Sequence, residues 1–212
     1  MKKSIFMVVL SLAFVPVYAQ NGGAAKTPAS LWKFYAMAGA TGSTIGGNGD
    51  SWSGLLPGYQ AGAGFLHDIG IPGHYVLNGE TNITSCGSKY KSDYTGGEGA
   101  SYSGKVILTY LNLAMLLQYR MQSGFFGELG LQPGLLLSAK DKGENYNENY
   151  KPYTKSVDVG IPIGVGYLLL RSLALNFRYC HGITNIAKNT GGGDAVARNR
   201  VFAFRLLWML GQ

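Results

Sequence analysis

The end of the chain alternates strictly. Arg200, Phe202, Phe204, Leu206, Trp208 and Leu210 fall on one parity, and Val201, Ala203, Arg205, Leu207 and Met209 on the other. Period two is the strand signature, because successive side chains of an extended chain point to opposite faces. The distribution of residue types between the faces constrains the fold. The first face is bulky and rich in aromatics; the second carries the charge of Arg205. A strand surrounded by lipid turns its bulky face outward and tucks its polar face into an interior.

Other segments repeat this arrangement. Leu173, Leu175, Phe177 and Tyr179 oppose Ala174, Asn176, Arg178 and Cys180. Val157, Val159, Ile161, Ile163, Val165 and Tyr167 oppose Asp158, Gly160, Pro162, Gly164 and Gly166. Leu111, Leu113, Met115, Leu117 and Tyr119 would face lipid, leaving Tyr110, Asn112, Gln118 and Arg120 inside. Phe125, Leu129, Leu131, Leu135 and Leu137 likewise leave Glu128 and Gln132 inside. Less regular segments at 33–43, 59–71 and 74–91 bring the expected total to eight strands of about ten residues, enough for a tilted span of a hydrocarbon layer. Gly is abundant and charged residues make up only 14% of the chain, while no stretch after Gln20 approaches the apolar length of a membrane helix. A soluble β-sandwich or lipocalin-like barrel is the competing fold, but it would carry more charge outside.

The connections alternate in length. Polar links at 44–58, 92–103, 141–155 and 188–199 are long, whereas Pro72-Gly73, Gln122-Ser123-Gly124 and Arg171-Ser172 are short. Barrels of outer membranes arrange long outer loops and short periplasmic turns in this way. An even, closed ring also leaves no unpaired backbone edge in lipid. The expected fold class is therefore all-β: an eight-stranded antiparallel transmembrane β-barrel over 32–212, behind a short periplasmic segment at 20–31.

The compartment follows from the start of the chain. Lys2 and Lys3 precede an apolar run from Ile5 to Val17, and Val17-Tyr18-Ala19 is a small-residue cleavage pattern. This reads as a cleaved signal peptide over 1–19 and directs the protein to the outer membrane. Without Lys2 and Lys3 the formal net charge of +7 becomes +5. For an exported protein that balance suits anionic lipid and lipopolysaccharide rather than nucleic acid. Cys86 and Cys180 sit on strands expected to be far apart, which predicts two free thiols even where oxidation is permitted.

Three segments also carry a resemblance. Tyr110-Leu111-Asn112-Leu113-Ala114-Met115-Leu116-Leu117-Gln118-Tyr119 is similar to a Tyr-Leu-Glu-Ile-Pro-Leu-Leu-Leu-Lys-Tyr pattern, with Asn112, Ala114 and Gln118 replacing its acid, Pro and Lys. Asp158-Val159-Gly160 through Gly164-Val165-Gly166-Tyr167 resembles an Asp-x-Gly…Gly-x-Gly-Tyr segment, and Arg178-Tyr179 through Gly182-Ile183-Thr184-Asn185-Ile186 an Arg-Tyr-x-x-Gly-Leu-x-Asn-Ile segment. In that order they resemble the PorT-like outer-membrane β-barrel family of Bacteroidetes along nearly the whole mature chain. The resemblance implies an eight-stranded outer-membrane barrel. Roles within the family vary, and one group takes part in protein secretion and gliding.

The inward faces collect Glu80, Arg120, Glu128, Asp158, Arg178 and Arg205. An eight-stranded interior is just wide enough for side chains to fill, so these residues are expected to form a structural polar network, with Glu128 meeting Arg120 across the Gln122-Ser123-Gly124 turn. A conducting path is the alternative. Catalysis on a small barrel would need a nucleophile or base near the lipid headgroups. His67, His74 and His181 are the candidates, and no Ser lies two residues away on the same face. Scattered His and Cys show no metal-ligand spacing, and Gly191-Gly192-Gly193-Asp194 lacks the strand-to-helix context of a phosphate loop. No catalytic residue, cofactor or metal is expected. Lys89, Lys91, Lys140, Lys142, Lys151, Lys155, Lys188 and Arg198 could hold lipopolysaccharide phosphates, but acids interleave with them and a mixed solvated surface is expected. The function expected is that of a monomeric, non-catalytic barrel acting through its outer loops in adhesion or surface interaction, or in membrane integrity. Alternatives are a component of a secretion or surface-assembly machine with protein partners, a lipid-modifying enzyme and a narrow pore.

Overall fold

The computed structural model describes residues 32–47, 52–69, 74–93, 101–143, 146–188 and 196–211; the expected signal peptide at 1–19, the segment 20–31, the Pro72-Gly73 turn and the loop tip at 191–194 lie outside them. Among the described residues ten strands run in chain order: β1 (Trp32–Gly47), β2 (Trp52–Gly54), β3 (Leu56–Asp68), β4 (Tyr75–Asp93), β5 (Ser101–Arg120), β6 (Phe125–Gly143), β7 (Asn147–Asn149), β8 (Val157–Leu170), β9 (Leu173–Gly182) and β10 (Ala197–Leu210). Eight of them are long. They pair antiparallel with their chain neighbours, and β10 closes on β1 from Phe34↔Leu210 to Gly47↔Ala197. Closure leaves every long strand with two partners, so among the described residues no long strand is an edge strand. The short β2 and β7 lean on β4 and β6.

The alternation read from sequence holds on β5, β6, β8, β9 and β10. Leu129, Leu131, Ile163, Val165, Phe204, Leu206 and Trp208 are exposed on the outside, while Leu207, Arg205, Arg178, Asn176 and Glu128 are buried within. A surface this apolar is unstable against water and matches hydrocarbon. At the short-turn end, aromatic rings pair around the outside: Trp32 with Phe65 at 5.3 Å between centroids, Tyr75 with Tyr119 at 5.2 Å and Phe125 with Tyr167 at 4.6 Å. Toward the long-loop end Tyr179 meets Phe202 at 4.8 Å. Aromatic girdles of this kind mark the level where hydrocarbon gives way to headgroups.

Strand length departs from expectation. β4 and β6 have 19 residues and β5 has 20, where about ten are needed to cross. Part of what reads as polar linker at 92–103 and 141–155 is strand that continues past the apolar belt, at 92–93, 101–103 and 141–143, still paired through Asp93↔Ser101 and Gly104↔Gly143. Beyond lipid the outer face no longer has to be apolar, so the alternation fades while the hydrogen-bond ladder continues. A register shift between Thr109 and Tyr110 places an extra residue on β6, at Leu137. Such a bulge reverses parity, which turns Lys140 outward although Glu128 and Gln132, also even-numbered, face in.

The interior is layered. At the short-turn end Tyr35, Met37, Leu66, Val76, Phe126, Ala174, Leu207 and Met209 form one apolar cluster. At the long-loop end Ile45, Cys86, Val106, Leu108, Tyr110, Leu136, Ala139 and Ile186 form another, with Tyr90 and Tyr150 packed against it. Charged and amide side chains occupy the space between.

Candidate functional site

Four of the inward charged residues converge on one point. Glu80 comes from β4, Glu128 from β6, Arg178 from β9 and Arg205 from β10. Arg178 Nη1 lies 3.0 Å from Glu80 Oε1, and Arg178 Nη2 lies 2.7 Å from Glu128 Oε1. Arg205 repeats the pattern, with Nη1 at 3.0 Å from Glu80 Oε1 and Nη2 at 3.2 Å from Glu128 Oε1. Each arginine thus bridges both acids, and the four formal charges sum to zero. Their side chains are 0–2% exposed. Buried ions are tolerated only when their remaining donors and acceptors are also satisfied.

Neutral neighbours supply those bonds. Glu80 Oε1 accepts from Asn82 Nδ2 at 2.7 Å, and Glu128 Oε2 accepts from Gln118 Nε2 at 2.9 Å. Asn176 Nδ2 donates to Glu128 Oε1 while its Oδ1 accepts from Arg205 Nε at 2.9 Å. The Tyr35 hydroxyl stands 3.0 Å from Glu80 Oε2 and 2.8 Å from Asn78 Oδ1, with one proton to donate between them. Asn82 Oδ1 then accepts from Gln60 of β3 and Asn112 of β5, both at 2.9 Å. The network therefore ties together strands from around the whole ring. Tyr35, Asn78, Asn82 and Gln60 are members that the sequence reading did not single out. The signal was present on β4, where Asn78, Glu80, Asn82 and Thr84 follow one another at period two.

The other two expected members stand apart. Arg120 sits nearer the short-turn end, where Nη2 donates to Gln118 Oε1 at 3.2 Å and the guanidinium lies 5.9 Å from the Phe126 ring centroid. Glu128 is bonded to Arg178 and Arg205, not to Arg120, so the expected Glu128–Arg120 pair is replaced by an indirect link through Gln118. Asp158 lies toward the long-loop end and accepts from Asn199 Nδ2 at 2.8 Å.

Above the charged layer is a cavity of about 30 Å³ lined by Gln60, Cys86, Asn112, Gln132, Asp158, Cys180 and Asn199, among others. Four oxygen acceptors of these residues, Gln60 Oε1, Gln132 Oε1, Asp158 Oδ1 and Asn199 Oδ1, have no donor from the described residues. A space of this size admits one or two waters, the donors such acceptors require. Cys86 and Cys180 are free thiols. They are not remote from each other, as their strand assignments suggested, because both line this cavity.

The histidines do not assemble. The His67 ring lies tilted against Trp32 at 4.2 Å between centroids and His74 lies 6.2 Å from Tyr119, both at the short-turn end. His181, on the outer face toward the long-loop end, has Nδ1 3.0 Å from the Tyr179 hydroxyl. Among the described residues no three His, Cys, Asp or Glu side chains are grouped to hold a metal ion.

No curated protein matches the chain. Among solved structures, Neisserial surface protein A (NspA) superposes with a TM-score of 0.52 at 15% identity, over 82% of this chain and 96% of its own. Ail, the attachment invasion locus protein of Yersinia pestis, was solved with the heparin analogue sucrose octasulfate. It gives a TM-score of 0.48 at 11% identity, over 84% of this chain and 99% of its own. The family model described as an outer membrane protein β-barrel domain matches residues 24–188. Together with the closed ring and its apolar exterior, that match establishes that the chain belongs to the outer-membrane β-barrel family and resides in the bacterial outer membrane.

Proposed function

We propose that the protein is a monomeric, non-catalytic barrel whose interior is closed and whose activity resides at its long-loop end, in surface interaction or membrane integrity. The observation that carries this reading is the neutral Glu80–Arg178–Arg205–Glu128 cluster held between two apolar layers. A conducting lumen needs a continuous wet path, and here three successive layers of side chains lie across it. The long-loop end, in turn, is built rather than merely connected: β4, β5 and β6 extend there as paired sheet, and β7 folds back on β6 with Lys140↔Asn149 in register.

The test combines current and topology. Purified protein in planar bilayers should give no steady conductance, and an epitope inserted at Asn147 should be labelled on intact cells while one at Ser123 is not. Steady single-channel current would replace this reading with a narrow pore. Labelling at Ser123 with protection at Asn147 would move the active end to the periplasm.

The PorT-like resemblance supports a second reading, as a component of a secretion or surface-assembly machine. Two of its segments contain residues that hold the interior together, Arg178 in the charged cluster and Asp158 on Asn199. Crosslinking that recovers a defined protein partner from the envelope would favour this reading.

A further inference from the structure

Where β4, β5 and β6 rise above the apolar belt, the ladder sets Lys89 opposite Lys105 and Lys105 opposite Lys142. Three cations of the same sign thus stand side by side on adjacent strands, with Cα atoms roughly 5 Å apart at each step. Like charges directly opposite one another destabilise a sheet. Lys91, two residues further along β4, adds a fourth charge. These four, with Gly54, Tyr90, Ser103, Gly104 and Gly143, line a concave space of about 380 Å³.

Nothing in the described part of the protein neutralises the row. Among the described residues, the ion pairs formed are those of the interior cluster. The nearest acid on β6, Asp141, points to the other face and accepts from the Tyr90 hydroxyl at 2.7 Å. Its register partner on β7, Glu148, shares that face, and Asn147 and Asn149 are the residues aligned with Lys142 and Lys140. Among the described residues that line this space, the charged ones are all lysines.

Depth identifies the kind of anion. Tyr119, in the aromatic ring of the short-turn end, and Lys105 are fourteen residues apart on β5, or about 46 Å of strand at ~3.3 Å per residue. At a tilt of about 40° this is roughly 35 Å of height, against an apolar belt of about 25 Å. Ile107 is the outward residue directly below Lys105. The lysines therefore stand just above the hydrocarbon edge, within a side chain's length of the headgroups.

We propose that Lys89, Lys105, Lys142 and Lys91 form a binding site for the phosphates of a phosphorylated glycolipid in the outer leaflet, of the lipid A class. The bound phosphates offset the repulsion along the row and clamp the β4–β6 sheet to the membrane surface. The site rests on the reading above that the long-loop end faces outward, which the labelling at Asn147 decides separately.

The test uses the full barrel refolded into phosphatidylcholine nanodiscs, with lipid A, dephosphorylated lipid A or phosphatidylglycerol added. Lipid A should raise the wild-type unfolding temperature, and the other two lipids should do so far less. The triple variant Lys89→Gln, Lys105→Gln, Lys142→Gln should lose affinity for lipid A on the order of 100-fold, given what each basic side chain contributes at an anionic surface. In plain phosphatidylcholine the single variant Lys105→Gln should melt higher than wild type, because it removes the central like charge, and Lys155→Gln should behave as wild type throughout. Equal protection by dephosphorylated lipid A, or an undiminished response in the triple variant, would overturn the site. An equal response to phosphatidylglycerol would overturn the choice of a glycolipid.

Discussion

Arg205 Nη1 lies 3.0 Å from both carboxylate oxygens of Glu80, which reaches it from a strand three places away around the ring. This contact spans the lumen, and Arg178 makes a second one to the same acid. A barrel whose walls are joined in this way behaves mechanically more like a filled rod than a tube.

Loss of either acid should therefore be costly. Glu80→Gln or Glu128→Gln leaves two buried guanidinium groups sharing one carboxylate, and breaking a buried pair from one side costs about 3–5 kcal/mol. The urea midpoint for unfolding from vesicles should fall accordingly. Arg120→Gln, which touches Gln118 and Phe126 but neither acid, should shift it by a small fraction of that.

Space for the cluster depends on Gly39. It sits opposite Arg205 in the β1–β10 register, and a Cβ there would run into Phe204 O and lie 3.0 Å from Arg205 Cγ. Gly39→Ala must push β1 from β10 or displace the guanidinium, for a cost of about 1–3 kcal/mol. A folded variant with wild-type stability in the same unfolding assay would show that the seam tolerates the methyl group.

The outer face should reject charge according to depth. Leu131 is 55% exposed on the outside of β6, opposite Met115, at the level of the hydrocarbon. Leu131→Arg should cost about 2–4 kcal/mol in lipid vesicles, whereas Leu131→Ala, which only trims apolar contact, should cost much less. Equal costs for the two would mean that this face does not meet lipid.

The thiols report on the same layers from within. Cys86 is buried in the apolar cluster of the long-loop end, and Cys180 lines the cavity beneath it. A cationic methanethiosulfonate reagent should modify neither in the folded barrel and both after denaturation, as counted by mass spectrometry. Rapid modification of Cys180 in the native state would show that water and ions pass the upper layer.

How far these features could be read from the chain depends on the distance over which each is decided. Alternation is local, because the pleat sends neighbouring side chains to opposite faces; hence Phe204 out and Arg205 in, or Leu129 out and Glu128 in, are legible in the order of residues alone. The strand count and closed ring follow, since lipid forbids an unpaired edge. The length of β4 was nearly legible, since the segment at 74–91 already reached Lys89, but the upper part of β5 was not, because outside lipid Lys105 can face outward as readily as a leucine faces hydrocarbon.

Contacts across the lumen were decided only by the tertiary structure. The turn at Gln122-Ser123-Gly124 makes Arg120 the nearest cation to Glu128 along the chain, yet Glu128 pairs with Arg178 and Arg205, 50 and 77 residues away. Which inward side chains share a height is set by the stagger of strands around the closed ring, a property of all eight strands at once. The same holds for Lys89, Lys105 and Lys142, whose alignment depends on register and a bulge on β6. Composition and period determine that this chain is a barrel with a polar interior and an apolar coat; closure and register decide which charges meet.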